Sequence, residues 1–122
     1  MTPEQSVRDF CKAVEGGEVE PLLARFTDDA VYHNIPMAPV VGREAIRATL
    51  EGFLSPGAET RFEILAIATT GRTVLTERMD TLTIGDKRIV LPVMGAFDLA
   101  PDGRIAAWRD YWDMQQFTAQ MA

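Results

Sequence analysis

Near residue 60 the chain changes period, and this limits the folds open to it more than anything else in the sequence. From Arg61 onward, apolar and polar residues alternate in four segments: Arg61–Thr69, Thr73–Ile84, Arg88–Leu99 and Arg104–Asp113. Only "TGR", "GDK" and "APDG" join them. Links this short leave no room for a crossover helix, so neighbouring strands should pair antiparallel. Before residue 60 the spacing is helical. In "TPEQSVRDFCKAV", Thr2 reads as an N-cap, Pro3 as the first helical residue and Gln5 as the partner in a capping box. Val7, Phe10, Cys11 and Val14 then form one apolar stripe. "EGGE" ends this helix. "VEPLLARF" predicts a short second helix with Val19, Leu22, Leu23 and Phe26 inward. "REAIRATLEGFL" predicts a third, with Ile46, Leu50, Phe53 and Leu54 inward. "AVYHNI" (Ala30–Ile35) reads as a short strand, and the prolines of "PMAPVVG" exclude a regular central strand after it. "MQQFTAQ" reads as a terminal helical turn. Helices first and a long meander afterwards predict an α+β domain over residues 1–122, with helices covering one face of a curved sheet.

Alternation assigns faces. Ile89, Leu91, Val93, Gly95, Phe97 and Leu99 form a clean inner face. On the same rule Val74, Thr76, Arg78, Asp80, Leu82 and Ile84 point one way, as do Ala106, Trp108, Asp110 and Trp112, and as do Ala30, Tyr32 and Asn34. If all these faces turn to one interior, it receives two carboxylates, a guanidinium, a phenol and a carboxamide. Unpaired, such groups cost several kcal/mol each to bury, so they must satisfy one another. An arginine can bridge two carboxylates through its fork of donors. Tyr and Asn can hold a water molecule. Two carboxylates in an apolar pocket form an acid–base device: one stays ionised to take a proton, the other neutral to give one. Taken alone, an Arg-x-Asp in a strand is an ordinary buried or interfacial ion pair. The coincidence of five polar residues on inner faces is what points to catalysis.

Other functions are disfavoured. The formal net charge of -6 and the absence of a basic run argue against nucleic acid and anionic membranes. One cysteine and one histidine allow neither an intramolecular disulfide nor a Cys/His metal site. No stretch approaches the ~18 apolar residues of a membrane span, and the polar N-terminus does not read as a signal peptide. A cytoplasmic protein is the expectation. His33 faces away from Tyr32 and Asn34, and Asp113 away from Asp110. Both read as structural, with His33 alternatively at a subunit contact and Asp113 exposed.

"VYHNIP", "LTERMDTL" and "AWRDYWDMQQF" together resemble the limonene-1,2-epoxide hydrolase family, in order and over nearly the whole chain. The resemblance implies the cystatin-like cone of the nuclear transport factor 2-like (SnoaL-like) superfamily. In that fold a curved, mixed, mostly antiparallel sheet carries N-terminal helices on its concave face around a deep pocket. It further implies one-step addition of water to a small, cyclic or terpenoid epoxide, giving a trans-diol without a cofactor or covalent intermediate. By the same match, Asp110 is the general base, Tyr32 and Asn34 hold the water, Asp80 is the general acid and Arg78 bridges the acids. Leu82, Leu91, Val93, Trp112 and Phe117 match the apolar substrate wall, with Cys11 and Val14 joining it from the first helix. A homodimer is also implied. The chain departs from the family pattern at His33, where a glutamine is expected, at Pro92, which replaces a small polar residue, and at Trp112, which replaces a smaller aromatic. Its N-terminus is also shorter. These changes bear on which epoxide fits, where a methylene or two is worth only ~1–3 kcal/mol. Two alternatives share the fold: another enzyme of polyketide-cyclase or ketosteroid-isomerase type, and a non-catalytic ligand-binding module.

Overall fold

The computed structural model describes all of residues 1–122. Helix α1 (Pro3–Val14) starts in a capping box: Gln5 N–H donates to Thr2 Oγ1 (3.1 Å), and Thr2 N–H donates to Gln5 Oε1 (2.9 Å). Its buried stripe is Val7, Phe10, Cys11 and Val14, as the spacing predicts. The chain turns back at Gly17 (φ +70°), where a Cβ would lie 2.6 Å from the Ser55 carbonyl oxygen. Helix α2 is only Val19–Leu23, and Phe26 opens strand β1 (Phe26–Asn34) instead of closing that helix. The expected strand Ala30–Ile35 therefore begins four residues early. "TDD" disguises its start, because the register shifts between Phe26 and Val31 and breaks the alternation there.

The prolines confine the next segment to a two-residue edge strand, β2 (Val40–Val41). Helix α3 (Arg43–Glu51) stops at Gly52, short of the predicted Leu54, although Leu54 is still buried. Then come β3 (Arg61–Thr70), β4 (Thr73–Ile84), β5 (Lys87–Leu99) and β6 (Ile105–Tyr111), close to the predicted limits. Helix α4 (Met114–Met121) is a full two turns rather than one, capped by the Asp113 carboxylate, which accepts from Gln115 N–H (2.8 Å).

The six strands form one sheet in the order β2-β1-β6-β5-β4-β3. All pairs are antiparallel except β1–β6, which is parallel. This α+β cone has α1 against β3 and β4, α3 against β1 and α4 against β5. Trp108 lies at the centre of the core. Tyr32 stacks on it (4.0 Å between centroids, 6° between planes), and Phe10 meets it edge-on at 5.0 Å.

Strand β6 pairs with β5 only from Met94 to Leu99, so the first half of β5 has an open edge. Gln120 of α4 closes it: Val90 N–H donates to Gln120 Oε1 (2.7 Å), and Gln120 Nε2 donates to the Val90 carbonyl (2.8 Å). Pro92, two residues on, has its missing N–H on that same unpaired side, which explains a proline inside a thirteen-residue strand.

Candidate active site

Parallel pairing places Asn34 beside Asp110 and Tyr32 beside Trp108. On the other side of β6, Asp110 is in register with Gly95 of β5, which in turn faces Thr76 of β4. Arg78, two residues along β4, reaches across β5 over Gly95. An added Cβ at Gly95 would overlap Arg78 Nη1 and lie 2.7 Å from Asp110 Oδ1. Gly95 is therefore the gap through which β4 and β6 make contact. The interruption of an apolar face by glycine is the sequence signal for such close approach, but alternation alone reads it as one more inner residue.

Arg78, Asp80 and Asp110 are 0%, 4% and 3% exposed. Every N–H of the guanidinium has an acceptor. Nε donates to Asp80 Oδ1 (3.0 Å) and Nη2 to Asp80 Oδ2 (2.8 Å). Nη2 also donates to Asp110 Oδ2 (2.8 Å), while Nη1 donates to Asp110 Oδ1 (3.2 Å) and Thr76 Oγ1 (3.1 Å). The Phe62 ring lies 4.7 Å from the guanidinium carbon, a cation–π contact. The expected bridge between the two acids is thus present geometrically. Thr76, Gly95 and Phe62 complete it, and none of the three is marked by charge or motif in the sequence.

The two acids differ in surroundings. Burial pushes the Asp80 carboxyl up to about 6, against the opposing pull of Arg78. Asp110 receives a third hydrogen bond, from Trp108 Nε1 to Oδ1 (2.7 Å), so three donors converge on its two oxygens. Burial, and next the charge of Asp110, push the Tyr32 phenol above its ordinary range, so its O–H remains a donor. Asn34 Oδ1 accepts from Trp112 Nε1 (3.0 Å).

Tyr32, Asn34, Asp80 and Asp110 share a cavity of about 220 Å³. Its remaining lining is mainly apolar. Leu82, Leu91, Val93, Trp112 and Phe117 are there, joined by Met37, Phe53, Phe62 and Ile84, which the sequence reading did not place on the wall. Cys11 and Val14, expected on the wall, do not line the cavity. Both face the core beneath α1, because the aromatic cluster around Trp108 fills the space between α1 and the pocket. Burial pushes the Cys11 thiol up to about 12, so it carries no thiolate. A larger hollow of about 580 Å³, among Arg25, Arg72 and Arg104, contains none of these site residues.

Asp113 is the cap of α4. His33 lies outside the cavity lining, and its Nε2 donates to the Met37 carbonyl (2.9 Å), which steadies the loop that carries Met37 to the wall. No group of three or more His, Cys, Asp or Glu side chains is arranged to hold a metal ion.

The family model for the limonene-1,2-epoxide hydrolase catalytic domain matches residues 1–122. The chain belongs to the limonene-1,2-epoxide hydrolase family. Epoxide hydrolase EphG of Mycobacterium tuberculosis is 35% identical over 109 residues, covering 89% of this chain and 72% of that protein. A solved M. tuberculosis LEH-like epoxide hydrolase superposes with a TM-score of 0.80 at 31% identity, covering 96% of this chain and 87% of the other. The cone fold extends further. A SnoaL-like polyketide cyclase from Shewanella denitrificans matches with a TM-score of 0.81 at 22% identity, covering 98% and 96%. The epoxide hydrolase/cyclase-like enzyme SalBIII matches with 0.82 at 21%, covering 93% and 92%. At these lower identities the likeness shows the fold alone.

Proposed function

We propose that residues 1–122 form one catalytic domain that adds water to a small apolar epoxide in a single step, giving a trans-diol. One observation carries the reading: Arg78 Nη2 lies 2.8 Å from a carboxylate oxygen of both Asp80 and Asp110, at a cavity they share with Tyr32 and Asn34. With one proton on Asp80 and none on Asp110, the triad is electrically neutral, the state a dry pocket favours. Tyr32 and Asn34 hold a water. Asp110 takes one of its protons as the oxygen attacks an epoxide carbon. The attacked carbon's own C–O bond breaks on the face opposite the water, and Asp80 gives its proton to the departing oxygen. Afterwards the proton is on Asp110 and the charge on Asp80. Net charge has not changed, and one proton transfer between the acids restores the start. No cofactor or metal enters these steps. Apolar walls and the absence of a free charge in the cavity suit a neutral hydrocarbon epoxide.

We further propose a homodimer formed through the outer sheet face, where Leu75, Met94 and Tyr111 are 44%, 53% and 48% exposed. The location we propose is the cytoplasm. No helix is long and apolar enough to cross a membrane.

The test is hydration of limonene 1,2-epoxide and cyclohexene oxide by purified protein treated with chelator, followed by a single turnover in ¹⁸O water. Label in the first-turnover diol supports direct attack by water, and unlabelled product would mean a covalent ester with a protein carboxylate. Asp80→Asn and Asp110→Asn should each abolish turnover with the fold intact. Full activity in either variant sinks the mechanism.

A further inference from the structure

Trp112 does more than line the wall. Its indole N–H can only donate, so the atom of Asn34 it meets at 3.0 Å must be Oδ1 and not Nδ2. This fixes the orientation of a planar carboxamide that could otherwise present either end to the cavity. With the oxygen end held by Trp112, the NH₂ end is the donor left for the cavity that Asn34 shares with Tyr32 and Asp110. Trp112 is itself held in place: its ring packs on Phe117 of α4 with centroids 5.5 Å apart, and α4 is clamped to β5 by Gln120.

We propose that Trp112 is a positioning residue for the attacking water, acting through the Asn34 carboxamide. The inference rests on the epoxide-hydration reading above and adds a role to a residue otherwise assigned to the wall. In that reaction the water must be oriented with one hydrogen toward Asp110 and a lone pair toward the epoxide carbon. A donated hydrogen bond from Asn34 Nδ2 to the water oxygen sets that orientation, whereas a flipped amide would compete with Asp110 for the water's protons. A phenylalanine at 112 would keep an aromatic wall and lose the lock.

Trp112→Phe should lower kcat about three- to tenfold, the effect of one neutral hydrogen bond, with KM changed less than about twofold. In an Asn34→Ala background the same substitution should cause no further fall in kcat. The chain has two tryptophans, hence two indole N–H resonances, and Trp112→Phe assigns them. In Asn34→Ala the Trp112 indole proton should move upfield and exchange faster, while that of Trp108 stays. An indole signal unmoved by Asn34→Ala overturns the inference. So does a loss in Trp112→Phe that appears in KM alone, or equally in both backgrounds. A wild type that hydrates no epoxide overturns the reaction reading and with it the catalytic consequence, and the indole signal then decides the hydrogen bond by itself.

Discussion

Replacing Gly95 by alanine pits two expectations of opposite sign against each other. Gly95 is inside a strand, with no positive φ to protect. On backbone grounds alone Gly→Ala there should stabilise the protein by about 0.5–1 kcal/mol, through lower unfolded-state entropy and better strand propensity. The site predicts the reverse. The new Cβ would overlap Arg78 Nη1 and stand 2.7 Å from Asp110 Oδ1 and 3.0 Å from Thr76 Oγ1. Arg78 is fully buried and cannot swing into solvent. To make room, Nη1 must give up its bonds to Asp110 and Thr76, one of them charge-assisted. Breaking part of a buried ionic network costs about 3–5 kcal/mol, which exceeds the backbone gain. A net loss of about 3 kcal/mol, with an m-value of about 1–3 kcal/mol/M, moves the urea midpoint down by about 1–3 M. Turnover should fall at least about a hundredfold, since the guanidinium no longer holds both oxygens of Asp110 in place. The assay is urea unfolding at pH 7 followed by tryptophan fluorescence, alongside epoxide hydration. A Gly95→Ala protein as stable as wild type or more so would refute the reasoning, because the triad would then not fill the space above residue 95.

Four further outcomes follow from the same structure. The folded-state value of Asp80, about 6, lies above the ordinary 3.8, so the folded chain holds more protons than the unfolded chain between the two. Stability contributed by this group is full below the ordinary value and is lost as pH rises through about 6. The loss is about 3 kcal/mol and should disappear in Asp80→Asn, measured by urea unfolding at pH 4 and 7. Over the same range kcat/KM should decline on the alkaline side as the proton donor of the coupled pair is lost, and a flat profile from pH 5 to 8 would exclude a carboxylic acid as the donor. Gln120→Ala removes the clamp on Val90, so amide exchange across Met114–Met121 should quicken and KM rise about three- to tenfold, while unchanged exchange would mean α4 docks without it. Cys11 should resist iodoacetamide in the native protein at pH 8 and react once unfolded, as expected of a buried thiol pushed up to about 12.

What the sequence reveals depends on how local the determining physics is. Thr2, Pro3 and Gln5 make a capping box legible because its partners are three residues apart. The inner faces of β4 and β5 are legible because period 2 acts along one strand. Arg78, Asp80 and Asp110 emerge from that rule. Their roles come from family resemblance. The parallel neighbour of β1 is not legible, since no local pattern says that the first long strand docks beside the last. The fate of Cys11 and Val14 is hidden for a similar reason: a helical stripe shows that a residue is buried, not whether it meets core or cavity. The start of β1 escapes because its irregular register cancels the alternation that would betray it. Thr76, Gly95 and Phe62 matter through contacts with a single guanidinium, and each looks like ordinary strand material until that guanidinium has a position.

The sheet order explains why the two acids need a bridge. Asp80 and Asp110 are on strands separated by β5, about 10 Å apart from strand axis to strand axis. Two aspartates cannot meet directly over that span, and without mediation each would be a separate buried charge. Arginine is long enough to cross β5, but only where β5 has no side chain in the way, which is at Gly95. Because one nitrogen donates to both carboxylates at 2.8 Å, the two oxygens it binds are no more than twice that distance apart. That is close enough for a proton gained at one acid to be felt at the other. A lysine would supply the charge without the fork and could not hold two carboxylates in fixed relative orientation. Arg78 and Gly95 therefore form one device on two strands. In the proposed reaction the asymmetry between the acids, with Trp108 on one and apolar burial on the other, sets which gives and which takes a proton.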